Sequence, residues 1–243
     1  PSANFRGPEP LSGVFSQSGH VDYLDITLPT SDDWLIISQK YFPDDCNNGY
    51  IGFTDGLNTN FSKKKNALVF RGSNTGEGVD GSLNMRIKAA QMSVSRHEWD
   101  VKLVLPRFQK PRLDRGRIVT VNQGLLDGLK GGRLSRTQQS NYKFILHIDG
   151  HVSAFRLASE LFYGSCILKV ESGFRTWLSE LLVPWKHYVP VAADLSDLQA
   201  KWQWCQDNLG ACEQIAHDAH AFAHMNVNKS TMLRHFKYKI AQL

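Results

Sequence analysis

The stretch Phe70-Arg71-Gly72-Ser73-Asn74-Thr75-Gly76 ends an apolar run with a cation, a glycine and a hydroxyl. Phosphate oxygens are held by such groups: a guanidinium, a backbone that a ligand can approach closely, and a small donor. A second stretch of this kind is Asp149-Gly150-His151-Val152-Ser153-Ala154-Phe155-Arg156. Gly150 permits a tight turn, and the small Ser153 and Ala154 leave room at a helix start. Arg156, one turn in, can reach an anion bound at that helix end. Its plain alternative is a pair with Glu160, the i+4 neighbour. A third stretch is Lys169-Val170-Glu171-Ser172, where the Glu171 carboxylate could accept from two ribose hydroxyls or cap a helix beginning near Phe174.

Several chemistries are excluded by what is missing. No GxxxxGK[ST] run exists, so the phosphate site is not a P-loop, and no GxGxxG turn points to NAD. There is no Gly-x-Ser-x-Gly elbow and no Cys/His pairing for covalent catalysis. His217, His220 and His224 share one helical face, but without an HExxH pattern or a further ligand they read as a polar stripe, and no metal is expected. Cys46, Cys166, Cys205 and Cys212 are too scattered for a disulfide scaffold and read as thiols, with a Cys205–Cys212 pair as the alternative if a turn brings their helices together. Net charge is +5, which suits an anionic ligand. The basic stretches 63–65 and 107–117 lack the interleaved aromatics of nucleic-acid binders and read as solvated surface.

The elements that must position these residues follow from periodicity. Residues 1–65 are loop-rich, with one apolar segment at Trp34-Leu35-Ile36-Ile37. From there, strands are expected at 66–71, 101–105, 143–148, 167–170 and 187–191. Helices are expected at 82–96, capped by Ser82, then from the 150s, at 174–182, and near 195–207, 211–224 and 229–242. Alternation of this kind predicts an α/β fold with a parallel sheet covered on both faces. Ligands in such folds sit at the carboxyl ends of the strands. No apolar run is long enough to cross a bilayer, so no membrane span is expected.

Taken together, "YKFILHIDGHVSAFRLASELFYGSCILKVES" and the later "LVPWKHYVPVAADLSDLQAKWQW" resemble the core of glycosyltransferase family 90, which contains protein O-glucosyltransferases and fungal capsule-associated xylosyltransferases. The matching features are Gly150, Ser153 to Arg156, Gly164-Ser165, Pro184-Trp185, His187 to Val191 and Asp194 to Ser196. Upstream, "KKKNALVFRGSNTG" and "VFSQSGHVDYLDITLP" are similar to the family's earlier segments. The order is kept over nearly the whole chain.

The resemblance implies a GT-B-like arrangement of two Rossmann-like halves, the N-terminal one small or reduced. It divides the chain into a loop-rich acceptor-side part (1–65), a nucleotide-sugar-binding domain (66–226) and a C-terminal helix packing back (227–243). It implies inverting, metal-independent transfer of glucose or xylose from UDP-glucose or UDP-xylose to a glycan or a Ser/Thr-containing protein. Arg71, Gly72, Ser73 and Asn74, with Gly150, His151, Val152, Ser153, Ala154, Phe155 and Arg156, would bind the donor, and Glu171 its ribose. Where relatives place a basic residue after Arg-Gly-Ser, this chain has Asn74. The expected Asp before Val14-Phe15-Ser16 is absent, so the base either lies upstream of Pro1 or is one of Glu9, Asp22 and Asp25. The alternatives are an inactive nucleotide-sugar-binding module and a basic nucleic-acid-binding protein. With no signal segment the sequence leans to the cytoplasm, whereas the resemblance implies the ER or Golgi lumen.

Overall fold

The computed structural model describes residues 14–23, 25–41, 54, 56–106 and 111–241. The chain begins with three short strands, β1 (Phe15–Ser16), β2 (Gly19–His20) and β3 (Ile26–Thr27), followed by helix α1 (Ser31–Tyr41). A helix inside the loop-rich stretch departs from the sequence expectation. Its start is legible after the fact: Thr30 N–H donates to Asp33 Oδ2 at 2.7 Å, and Asp33 N–H donates to Thr30 Oγ1 at 3.2 Å. Such a reciprocal pair satisfies donors that a helix start otherwise leaves open.

Next come β4 (Lys65–Gly72), α2 (Met85–Met92) and β5 (Trp99–Leu103), then a hairpin of β6 (Arg112–Asp114) and β7 (Arg117–Val119). Helix α3 (Arg136–Gln139), β8 (Tyr142–His147), α4 (Leu157–Leu161) and β9 (Cys166–Val170) follow. The remainder is β10 (Phe174–Arg175), β11 (Val189–Val191), α5 (Leu198–Asp207), α6 (Leu209–Asn226) and α7 (Lys229–Ile240). Among the described residues no helix is long and apolar enough to cross a membrane.

The centre is a five-stranded sheet in the order β11-β9-β8-β4-β5, with every pair parallel. Both faces are buried, as a parallel sheet requires. Leu68, Phe70, Phe144, Leu146 and Leu168 point to one side, into a core shared with Trp99 and Trp202. Val69, Ile145 and Ile167 point to the other, against Leu157, Leu161, Trp177 and Phe222. Each such side chain taken fully out of water contributes about 2 kcal/mol. This is a mixed α/β, Rossmann-like core, as the alternation of apolar runs predicted.

Three local expectations are corrected. The helix expected at 174–182 is instead β10, whose Phe174 pairs antiparallel with His20 of β2, followed by a short turn of 3-10 helix, Ser179–Leu181. The cap of α2 is Asn84, whose side chain accepts from Ile87 N–H at 3.1 Å. Ser82 is already engaged, with its N–H and hydroxyl both donating to Asp80 Oδ1 at 2.8 and 2.5 Å. Finally, Arg156 is the residue before α4 rather than one turn inside it.

The first strands and the last helix of the described residues meet. The Phe15 and Phe236 rings stack at 6.5 Å, and His235 Nε2 lies 3.0 Å from the Thr27 carbonyl oxygen.

Candidate functional site at the sheet switch point

The strand order places β5 on one side of β4 and β8 on the other, so the chain changes direction between β4 and β8. At such a point the loops leaving the two carboxyl ends diverge and open a crevice. Here those loops are 73–84 and 148–156, two of the stretches singled out by their chemistry.

One residue that the sequence reading did not single out ties them together. Arg86, buried on α2, donates from Nη1 to Ser73 O (3.0 Å) and Thr75 Oγ1 (2.6 Å) on the first loop. From Nη2 it reaches Ile148 O at 2.9 Å, and from Nε it reaches Asp149 O at 3.1 Å on the second. Burial, then the neighbouring Arg156, bring its pKa down to about 9. A guanidinium in the first turn of an otherwise apolar helix face was the available signal.

Gly150 sits where the two loops touch. A Cβ there would lie 2.6 Å from Thr75 Oγ1 and 3.2 Å from the Arg86 guanidinium, so only glycine fits. Gly76 N–H donates to His151 Nδ1 at 3.3 Å, a second link between the loops. Burial, followed by Arg112 and Arg86, lowers the pKa of His151. The carbonyl of buried Asn74 accepts from Asn84 Nδ2 at 3.1 Å and from Arg112 Nη1.

Arg156 reaches across to β4. Its Nη1 donates to Arg71 O at 2.7 Å, its Nε lies 2.8 Å from Glu160 Oε1, and its plane lies over the Phe70 ring at 4.8 Å. A Cβ on Gly72 would come within 3.2 Å of that Nη1. The other oxygen of Glu160 is 2.6 Å from His147 Nδ1. On the far side of the imidazole, Asp149 Oδ1 is 3.7 Å from Nε2. Burial works against the charged form of His147, but Glu160 and Asp149 overcome it and raise its pKa. Burial also opposes the Asp149 carboxylate, yet His147, Ser172 and the Ala154 N–H bring that pKa down to about 2. Both readings of Arg156, as anion ligand and as partner of Glu160, are thus compatible with one geometry.

Arg71 is gripped more fully. Its Nη2 donates to Asp100 Oδ1 at 2.6 Å, Nη1 to Asp100 O at 2.6 Å, and Nε to Gly132 O at 3.0 Å. With Gly72, Ser73, Val104, Arg133, Leu134 and Gln139 it lines a cavity of about 310 Å³. Glu171, past the end of β9, is 3.3 Å from Lys169 Nζ. Burial and Glu171 together push the Tyr188 hydroxyl pKa up. The helix that Glu171 might have capped does not form, since β10 occupies that position.

Of the candidate bases, Glu9 lies outside the described residues. Asp22 is exposed, with Oδ2 3.3 Å from His20 Nδ1. Asp25 is buried behind β2, where a Cβ on Gly19 would lie 3.5 Å from its own Cβ. The segment carrying both aspartates meets the second loop directly: the Ser18 and Ser153 hydroxyls are 2.7 Å apart, and Ser153 N–H donates to Ser18 Oγ at 3.1 Å.

Elsewhere, the basic stretch 63–65 is not uniformly solvated surface. Lys64 is buried and donates to the carbonyl oxygens of Asn58, Ser140 and Tyr163. His217 and His220 of α6 border a separate cavity of about 430 Å³ beside Thr59, Gly164 and Glu213, near the amino ends of β4 and β9. Among the described residues one grouping of three metal-ligand atoms occurs, the buried thiols of Cys166, Cys205 and Cys212, all within 4.8 Å of one another. They sit in the apolar core beside Phe144 and Trp202.

Comparison with known proteins gives a match over residues 2–240 to the family model described as Glycosyl transferase family 90. Uncharacterized protein 035R of Invertebrate iridescent virus 3 is 38% identical over 238 residues, covering 91% of this chain and 20% of that protein. Uncharacterized protein 179R of Invertebrate iridescent virus 6 is 33% identical over 263 residues, covering 91% of this chain and 22% of that protein. Protein O-glucosyltransferase 3 of Homo sapiens is 26% identical over 218 residues, covering 89% of this chain and 38% of the human protein. The chain therefore spans about a fifth of the viral relatives' length and well under half of the human one's.

Proposed function

The chain belongs to glycosyl transferase family 90, and from that premise we propose that it transfers glucose or xylose from a UDP-sugar to a hydroxyl of a glycan or of a Ser/Thr side chain. The observation that supports this reading best is the Arg156 guanidinium, laid over Phe70 and beside Gly72 at the switch point between β4 and β8. In the proposed complex the diphosphate lies against Arg156, the backbone of Gly72 to Asn74 and the turn 150–155. Glu171 accepts from the ribose. Arg71, already braced by Asp100, walls the neighbouring cavity rather than moving toward the phosphates.

The reaction in this reading is an inverting displacement that needs no metal. A carboxylate takes the acceptor proton, the acceptor oxygen bonds to the anomeric carbon, and the bond from that carbon to the diphosphate oxygen breaks. The electron pair leaves on the diphosphate, where Arg156 and backbone N–H groups take up the growing charge. The base is drawn from Glu9, Asp22 and Asp25. The accompanying architecture is GT-B-like: residues 1–65 on the acceptor side, 66–226 as the donor domain and 227–243 as a returning helix. The second reading, a module that keeps donor affinity without the base, is favoured by one observation: Asp22 is exposed and paired with His20, and Asp25 is packed behind β2.

Calorimetric titration of the protein and of Arg156→Ala with UDP, each with and without EDTA, tests the donor site. Micromolar binding that ignores EDTA and is lost in the variant supports it, while a folded protein that ignores UDP overturns it. A panel of UDP-sugars with glycan and peptide acceptors then separates the enzyme from the binding module.

A further inference from the structure

The Glu160 carboxylate is almost wholly buried and is shared between two cations, Oε2 2.6 Å from His147 Nδ1 and Oε1 2.8 Å from Arg156 Nε. Arg156 would otherwise be a long, freely rotating side chain at a crevice mouth. Instead the Glu160 carboxylate pairs with it electrostatically, Arg71 O accepts from its Nη1 at 2.7 Å, and Phe70 supports its plane. Nη2 is left buried with no hydrogen-bond acceptor among the described residues, and the Nε contact to Glu160 is an ion pair without hydrogen-bond alignment. A guanidinium held on one edge and unsatisfied on the other is set to receive an anion.

We infer that Glu160 is the positioning residue that aims the Arg156 guanidinium at the donor diphosphate, and that His147 behind it carries the proton that keeps this pocket positive. The inference rests on the donor reading above and adds to it a residue pair and a proton.

The proton matters because of the charges that face His147. Asp149 ends its own strand and Glu160 faces it from α4. Lys169 is its register partner on β9, itself 3.3 Å from Glu171. Arg86 comes from α2 to the carbonyls of Ile148 and Asp149, and Arg156 lies beyond Glu160. With His147 protonated, four cations face three carboxylates, and without its proton the group is neutral. A diphosphate arriving at Arg156 thus binds best while His147 is charged, and by linkage its binding strengthens the hold on that proton. Affinity is highest below the pKa of His147 in the free protein. It then falls as pH rises through that value, by at most about tenfold per pH unit.

Glu160→Gln separates aim from charge. Removing the carboxylate takes away one negative charge, so on charge alone the variant would bind an anion at least as well as wild type, whether or not Asp149 still holds the proton on His147. Affinity lost in this variant therefore reports the orientation of Arg156.

The experiment is UDP titration calorimetry on wild type, Arg156→Ala, Glu160→Gln and His147→Asn, between about pH 6 and pH 9. Wild-type runs in two buffers of different ionisation enthalpy count the protons taken up. Wild-type binding lost in Arg156→Ala establishes the donor site on its own. The inference then expects Glu160→Gln to bind about tenfold more weakly, a loss of the size that misaiming one charge-assisted contact brings. It also expects wild-type affinity to fall toward high pH relative to His147→Asn, a ratio in which the ionisation of UDP itself cancels. Proton uptake should appear in the wild type over the same range. Glu160→Gln binding like wild type, together with parallel wild-type and His147→Asn profiles, overturns the inference while leaving the donor site standing. Should Glu160→Gln fail to fold, the proton count and the His147→Asn ratio decide it. A folded wild type that takes up no UDP overturns both readings.

Discussion

Arg71 and Asp100 close on each other across neighbouring strands, Nη2 to Oδ1 at 2.6 Å, with the Tyr142 hydroxyl donating to the other carboxylate oxygen at 2.6 Å. The pair is partly buried, so it acts as a brace at the end of β4 and not as a loose surface contact. Arg71→Ala is expected to lower folding stability by about 2 kcal/mol, because Asp100 loses its charged partner. The same variant should weaken UDP binding less than Arg156→Ala does. Urea denaturation and UDP titration of the two variants side by side check both statements.

Arg86 offers a sharper contrast. Its bonds run to carbonyls of two loops, and a planar fork with several donors is what reaches them all. Arg86→Leu should cost about 3 kcal/mol or more, since several buried carbonyls lose their donor. Arg86→Lys should recover little of that loss, because an ammonium cannot span the same acceptors. Thermal melts of the two variants should therefore lie close together and well below the wild type.

Acid should unfold the protein through Asp149. Its pKa is about 2 in the folded chain against an ordinary 3.8. A carboxylate depressed in this way adds stability that is complete above its unfolded value and is lost as pH falls through the folded one, about 2 kcal/mol here. His147 has the opposite sign: its raised pKa adds stability below its unfolded value of 6.5, and that is lost as pH rises through the folded value. Stability measured by urea melts should thus decline on both sides. Asp149→Asn should flatten the acid side between about pH 4 and pH 2.

Gly72→Ala probes the crevice without touching a charge. The new Cβ would lie 2.7 Å from the Phe70 ring and 3.2 Å from Arg156 Nη1, so the ring that supports the guanidinium must shift and the guanidinium give way slightly with it. UDP affinity is expected to fall about tenfold, the effect of weakening one charge-assisted contact. Wild-type affinity in this variant would show that Arg156 accommodates the methyl.

Much of this was readable from the chain. The runs ALVF and FILHI lie at the centre of the sheet because an unbroken apolar run suits a strand buried on both faces. Gly150 was legible as a turn, and Arg156 and Glu160 as neighbours. What escaped was long-range. Arg86 reads as one charge on an ordinary helix, since the acceptors that make it a link between the loops, at Ile148 and Asp149, lie 62 residues or more away. The segment at Phe174–Arg175 reads as helix in the sequence because the partner that makes it a strand is β2, far earlier in the chain. His147 read as one more residue of an apolar strand. Its two carboxylate neighbours come together only when α4 folds back over the sheet.

The Arg86 fork also sets a gauge. One rigid, planar group bonds both walls, so the separation of the loops after β4 and β8 follows from the span of a guanidinium and does not depend on what enters. A slot of fixed breadth selects ligands by what they carry along its length. Sugars that differ at the far end of a common nucleotide would then be told apart outside this slot, by residues that the shared diphosphate never touches.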